Sequence, residues 1–212
     1  MSTPAPVASA PLATIPIFPL GTVLFPSGVL PLRIFERRYL DMVRECAAGN
    51  QPFGVCLITR GAEVGQAAEH HRIGCTAQIV DFDMEPGGIL RLRTVGGERF
   101  EVLEESTQPD GLIRGQVRRI PADPVLVVPP ELSGCAALIR RVITDVCQRE
   151  ADPLQRILAE PYRPEEAGWV ANRLCELLPI APSLRWQLMI LDDPLERLSR
   201  IAALLSAPAS DA

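Results

Sequence analysis

The first 32 residues carry no charged side chain and contain seven prolines. Proline fixes φ near −65° and has no N–H, so it breaks helix interiors and is confined to strand edges, turns and helix starts. A chain that opens this way must open in extended pieces and turns. It cannot open as a membrane-spanning helix. Ala8-Ser9-Ala10 has the spacing of a signal cleavage site, but no positive segment and no continuous apolar core precede it. Met1 to Leu12 (1–12) is therefore expected to be a flexible tail, and the protein to be cytoplasmic.

Ile15 to Leu20, pinned by Pro16 and Pro19, suits an edge strand. Thr22–Gly28 ends in a Pro-Ser-Gly turn, and Val29–Phe35 is the next extended run. The period changes at Glu36. Tyr39, Met42, Val43 and Cys46 recur at helical spacing, with Arg37, Arg38, Asp41, Arg44 and Glu45 on the other side. Gly49-Asn50 stops that helix. Phe53–Ile58 reads as a strand buried on both faces. A meander follows: a long strand over Arg72–Met84, a turn at Pro86–Gly88, and a strand from Ile89. Gly96-Gly97 gives a two-residue hairpin signal, then come a strand at Arg99–Glu105, a turn at Pro109–Gly111 and a last strand to Ile120. Strands of this number and spacing, with one early helix, predict a small closed or half-closed barrel over 13–121.

Beyond a Pro-rich linker at 122–130, residues 131–206 read as helical. Leu132, Cys135, Ala136, Ile139, Val142, Ile143 and Val146 make one apolar stripe. Asp152-Pro153 and Asp193-Pro194 each read as a capping residue followed by proline in the first turn. Five helical segments are expected here, one of them short over Leu154–Glu160.

All 21 cationic side chains are Arg, with no Lys anywhere. That excludes a Walker-type P-loop, Schiff-base chemistry and a Ser–Lys dyad. The formal charge is −5, which argues against nucleic acid as the partner. The six cysteines show no C-x-x-C spacing and each lies in an apolar run, so buried, reduced thiols are expected rather than a metal site. His70-His71 falls in a polar stretch that reads as a solvated loop, since adjacent residues do not share a face. Asp81, Asp83 and Glu85 alternate along one strand face but lack the further oxygen ligands of a cation site. Arg91, Arg93, Arg114 and Arg118 read as a strip on an outer sheet face. Such a strip would serve the alternative function, RNA binding. A small-molecule site is a third class, but no residue cluster singles out a pocket. No metal and no cofactor is expected.

The run from Ile15 to Val43, followed by Phe53–Ile58, closely resembles the start of the N-terminal substrate-binding domain of Lon proteases in its stand-alone bacterial form. The matching parts are Pro19-Leu20, Val23–Pro26, Leu30–Glu36 and Tyr39. Arg72–Ile79 is similar to the family's E-x-G-T-x-A-x-I strand, with Ile73 and Cys75 departing from it. Leu90–Val102 and the helical tail also resemble the family. The resemblance implies an α+β fold, a PUA-like β pseudobarrel with an early inserted helix followed by a C-terminal helical bundle. It implies a non-enzymatic module that binds unfolded or apolar polypeptide as an adaptor, regulator or chaperone-like protein, with a protease system as its context. The family's ATPase and Ser–Lys protease domains are not expected in this chain.

The prolines are expected to form poorly pairing edges at the barrel seam, and Arg33 with Glu36 to pair across the strand-to-helix junction. The expected polypeptide site lies beside the first helix. Phe25, before the Pro-Ser-Gly turn, should be incompletely buried. Phe35 and Tyr39, four apart, should form an aromatic patch, rimmed by Arg37, Arg38 and Asp41. The competing reading makes Phe35 and Tyr39 ordinary core.

Overall fold

The computed structural model describes residues 13–152 and 154–206; the tail expected at 1–12 lies outside them. The strands are β1 (Ala13–Leu20), β2 (Val29–Ile34), β3 (Phe53–Arg60), β4 (Glu69–His70), β5 (Ile73–Glu85), β6 (Ile89–Thr107) and β7 (Ile113–Arg119). Helix α1 (Arg37–Gly49) lies between β2 and β3. Helices α2 (Ser133–Arg149), α3 (Ala167–Leu177), α4 (Pro182–Met189) and α5 (Pro194–Ser206) follow β7. The fold is α+β, as the sequence indicates.

The sheet closes on itself. Its order is β1-β7-β6-β5-β3, and β1 pairs back onto β3 in parallel. β1 is thus the closing strand rather than an edge. It contacts β7 from Ala13 to Ile17 and β3 from Ile17 to Leu20, so the two pairings overlap only at Ile17. Pro16 and Pro19 each lie in a half of β1 with one side unpaired, where a missing N–H breaks no ladder. The prolines do stand at the seam, but as part of a strand that shuts it.

The alternating side chains of β1 serve two cores. Ile15 and Ile17 face the barrel interior with Phe100, Val102, Ile113 and Val117, while Phe18 and Leu20 face outward under α1. The interior is filled around Phe100. A Cβ at Gly54 would stand 2.5 Å from the Phe100 ring, so only glycine fits there. Tyr39, Met42, Val43 and Cys46 are the buried stripe of α1, as their spacing predicts, and Asn50 ends the helix in the left-handed region.

Gly96-Gly97 is not a hairpin. β6 runs through it without a break for 19 residues. The two glycines answer close approach rather than a turn. A Cβ at Gly96 would collide with the Phe25 carbonyl oxygen, and one at Gly97 would stand 2.5 Å from Thr76 Oγ1. The loop before β2 is hydrogen-bonded there, with Ser27 N–H donating to Gly96 O at 2.7 Å and Gly96 N–H to Gly28 O at 2.8 Å.

The predicted helix over Leu154–Glu160 is also absent. Asp152 accepts from Leu154 N–H at 2.9 Å and from Gln155 N–H at 3.1 Å, but this makes one turn only. Leu158 is instead buried and bridges to Gly28. Tertiary burial of one apolar residue overrides the local helix signal. Asp193 does cap its helix, accepting from Leu195 N–H at 2.8 Å.

Two charged assemblies lock the helices to the barrel. In the first, Asp123, on the segment after β7, accepts from Arg99 of β6 and Arg197 of α5. Both guanidiniums are buried. Arg99 also donates to the carbonyls of Met189 and Leu191, each at 3.0 Å, and Arg197 to Leu188 O and Asn172 Oδ1, each at 2.9 Å. In the second, the fully buried Arg173 of α3 donates to the Pro26 and Ser27 carbonyls. Its neighbour Glu176, 3.1 Å away, accepts from the Phe25 N–H. Burial pushes the Glu176 carboxyl up to about 7, against the pull of Arg173.

Asp123→Ala removes the carboxylate that two buried guanidiniums share and leaves Arg99 only the exposed Asp192 at 3.6 Å, a change that costs about 3–5 kcal/mol when a buried pair is broken. Urea titration followed by circular dichroism and by tryptophan fluorescence should show that loss, with one coincident transition in wild type. Two separate transitions would contradict a single cooperative unit. For Glu176, the folded carboxyl binds its proton more tightly than the unfolded one, so stability falls as pH rises from 4.5 to about 7. Thermal melts across that range should show this fall in wild type and a shallower one in Glu176→Gln.

Candidate functional site

A cleft of about 330 Å³ opens between β2, the first turn of α1 and the loop joining β3 to β4. The end of β1 supplies Phe18 and Leu20 to its floor, and alternate residues of β2 supply Leu30, Leu32 and Ile34. Phe35 and Val64 stand on its rim, 56% and 57% exposed. Gly21 N–H donates to the Glu63 carboxylate at 2.6 Å, which ties the β3–β4 loop across the end of β1. The mouth carries Glu36, Glu63 and Arg33 around an apolar interior.

The six residues expected at a polypeptide site divide in the structure. Phe25 is fully buried, not half-exposed; it packs in the core between barrel and helices. Its backbone makes the turn, and its ring points into the space that Leu57 and the helices enclose. Tyr39 is core as well, 5% exposed and packed against Phe18 with ring centroids 4.1 Å apart and the rings tilted by 30°. It still lines the cleft from beneath. Arg38 is buried rather than rimming a surface. Its guanidinium lies 4.5 Å over the Tyr39 ring, 3.0 Å from Glu36, and donates to Gly111 O at 3.1 Å. It pins the start of α1 to the turn between β6 and β7. Phe35 is exposed and forms no stacked patch with Tyr39 among the described ring contacts. Arg37 and Asp41 are on the surface and bond to each other at 2.8 Å. Arg33 pairs with Glu85 at 2.8 Å rather than with Glu36.

Arg91, Arg93, Arg114 and Arg118 do not make one strip. Arg91 and Arg93 lie where β6 pairs with β2 and β5, while Arg114 and Arg118 sit opposite Ser106 and Glu101 at the far end of β6. Arg91 lies 3.4 Å from Glu85, Arg93 donates to Arg156 O at 2.5 Å, Arg114 pairs with Glu45 and Arg118 with Glu101.

The histidine pair is not a solvated loop. His70 belongs to β4, donates from Nδ1 to His71 O at 2.9 Å, and has Nε2 3.4 Å from Glu105. His71 stacks on Trp186 of α4 at 3.8 Å, and Trp186 Nε1 donates to Ile73 O at 3.0 Å. Burial, and then the neighbouring His70, lowers the His71 pKa. His71 anchors α4. Among the described residues no group of three His, Cys, Asp or Glu is placed to hold a metal ion. The six cysteines are free thiols, and burial pushes Cys46 up to about 11 and Cys175 up to about 12, far from nucleophilic.

The sequence reading missed the loop residues Glu63 and Val64. Their contribution depends on a loop 42 residues away reaching Gly21, and no local pattern encodes that.

The barrel thus carries an apolar cleft between β2, α1 and the β3–β4 loop, and helices held to it by buried arginines. Residues 14–207 match the family described as the ATP-dependent protease La (LON) substrate-binding domain, and the chain belongs to that family. It is 25% identical over 195 residues to the Lon protease of Parabacteroides distasonis, covering 91% of this chain and 24% of that protein. It is 32% identical over 111 residues to protein cereblon of Gallus gallus, covering 50% of this chain and 24% of cereblon. The chain thus spans about a quarter of the length of these relatives. The crystal structure of a Lon N-terminal domain protein from Xanthomonas campestris superposes with a TM-score of 0.72 at 34% identity, covering 92% of this chain and 99% of that one. The N-terminal domain of a Mycobacterium avium complex Lon protease shares the fold, with a TM-score of 0.59 at 18% identity and coverage of 92% and 98%. No helix among the described residues is long and apolar enough to cross a membrane.

Tyr39→Ala should cost about 3–5 kcal/mol, as large-to-small changes of buried aromatics do. Phe35→Ser should shift stability by less than about 0.5 kcal/mol, as exposed substitutions do. Chemical denaturation of the two variants checks both. A stable Tyr39→Ala protein would contradict its place in the core.

Proposed function

We propose that this chain is a non-enzymatic recognition module for unfolded or partly folded polypeptide, working in the cytoplasm as an adaptor or regulator beside a protease system. Membership of a substrate-binding family gives the class. The observation that carries the reading is the cleft itself, with Phe35 and Val64 exposed above an apolar floor. A large aromatic left out of the core at the mouth of an apolar cleft suits an apolar side chain of another polypeptide. The mixed charges at the mouth suit peptide rather than phosphate backbone. Lys-free composition and raised thiol pKa values accord with a protein that binds rather than reacts.

The test is fluorescence anisotropy of a labelled, permanently unfolded polypeptide. Phe35→Ser and Val64→Ser should each weaken binding about three- to tenfold with unchanged melting, which corresponds to roughly 0.6–1.4 kcal/mol. Arg37→Glu lies outside the cleft and should leave affinity within about twofold. Wild-type affinity in both cleft variants would remove this site. The purified chain should show no ATP hydrolysis and no peptide cleavage; turnover that survives several columns in a tag-free preparation would overturn the non-enzymatic assignment.

A further inference from the structure

The hairpin of β5 and β6 runs past the end of the barrel. β3 meets β5 only at Cys75–Ala77, so from Gln78 to Glu85 β5 has β6 on one side and no strand on the other among the described residues. At about 3.3 Å per residue this open edge is roughly 25 Å long.

The register across three strands defines what each face of that edge offers. One face carries the rows Leu32–Leu92–Phe82 and Ile34–Leu90–Met84. Leu92, Leu90 and Ile34 are buried in the core under α1, but the rows end on β5 with Phe82 61% and Met84 55% exposed. The opposite face carries Pro31–Arg93–Asp81 and Arg33–Arg91–Asp83. Its rows run from cation to carboxylate, and Glu85 extends the carboxylates along β5 toward the hairpin turn. The outermost strand therefore presents apolar side chains on one face and Asp81 and Asp83 on the other, beside a Glu85 already paired with Arg33 and Arg91. Proteins protect such edges with Lys, Pro or bulges. Here the one such device is the register shift between Ile79 and Asp81; no proline stands between Gln78 and Glu85.

We propose that β5 from Ile79 to Glu85 is a strand-addition site for an extended polypeptide segment in which apolar residues alternate with Arg or Lys. An added strand continues both sets of rows. Its apolar residues extend the Phe82 and Met84 rows, and its cations lie opposite Asp81 and Asp83, where opposite charges on directly paired residues stabilise. Main-chain hydrogen bonds supply affinity and the alternating side chains supply selectivity. A second copy of this chain fits badly, because antiparallel pairing of two β5 edges sets carboxylate against carboxylate. A nucleic-acid backbone meets the same acidic row. The inference rests on the reading of this chain as a polypeptide-binding module, but it uses a different surface from the cleft and adds a charge preference that the cleft does not have.

The experiment uses the full chain and three labelled nine-residue probes. One alternates Leu and Arg, one has the same composition in two blocks, and one alternates Leu and Glu. Anisotropy at low and moderate salt should give the alternating Leu/Arg probe at least tenfold preference over both others. Phe82→Ser should weaken that probe about fivefold or more. Asp83→Arg should weaken it similarly and raise affinity for the Leu/Glu probe. Both substitutions are on the surface, and thermal melts verify the fold. Equal affinity for the alternating and blocked probes, or wild-type affinity in both variants, overturns the proposal. Self-association that Phe82→Ser abolishes also overturns it and assigns the edge to a second copy. Unfolded polypeptide that is lost by Phe35→Ser but held by Phe82→Ser leaves the cleft standing and removes the edge. The reverse pattern supports the edge and removes the cleft.

Discussion

The contact between Asp123 and the guanidiniums of Arg99 and Arg197 holds the architecture together. Arg99 comes from the barrel, Arg197 from the last helix, and Asp123 from the segment that joins barrel to helices. One carboxylate between two buried cations offsets their mutual repulsion, and the surrounding carbonyls accept the remaining N–H groups. Burial lowers the Arg99 pKa, and Asp123 acts against that shift. Without this arrangement two desolvated charges would face each other in the interior, which is a large penalty. The helices are thereby tied to the barrel.

The exclusive use of arginine acquires a structural meaning here. Arg38, Arg99, Arg173 and Arg197 are all buried, and each donates to at least one main-chain carbonyl. A guanidinium has five donors in a planar fork and can satisfy several acceptors at once; an ammonium at the same sites has three donors and a stronger hold on water. These four side chains act as staples between segments distant in sequence. Arg38 joins α1 to the β6–β7 turn, Arg173 joins α3 to the loop before β2, and Arg99 and Arg197 close the set around Asp123. Many other arginines stay on the surface but pair with carboxylates, as Arg37 does with Asp41, Arg118 with Glu101, Arg119 with Glu98 and Arg200 with Glu196, so the Arg content does not add up to a nucleic-acid face.

The two candidate surfaces share a physical origin. β2, β6 and β5 form a three-stranded ribbon whose inner face is the floor beneath α1. Where α1 and β1 cover it, Leu90 and Leu92 are core. Where cover ends, the apolar rows continue into solvent at Phe82 and Met84 on β5, while Phe35, just past the end of β2, stands exposed at the rim of the cleft. Apolar alternation along β5 was legible as a strand signal. Whether its edge met a partner depended on how far β3 extends along β5, and β3 stops short.

Local periodicity determined much of this protein. The proline spacing excluded an opening helix, the stripe of Tyr39, Met42, Val43 and Cys46 defined α1 and its buried face, and Asp193-Pro194 placed the start of α5. These signals lie within one or two turns of chain, so the sequence alone carries them. The long motif from Pro19 to Tyr39 likewise carried the family. What only the tertiary structure decided were features set by groups that meet from afar. Gly96-Gly97 read as a turn until the approach of Phe25 and Thr76 explained it. Phe25 and Arg38 read as surface until the helices and the Gly111 turn enclosed them. Leu154–Glu160 read as a helix, but burying Leu158 against the loop at Gly28 pulled it into irregular chain. Burial depends on which segment arrives opposite, and that information is spread over the whole fold rather than held in any one stretch of sequence.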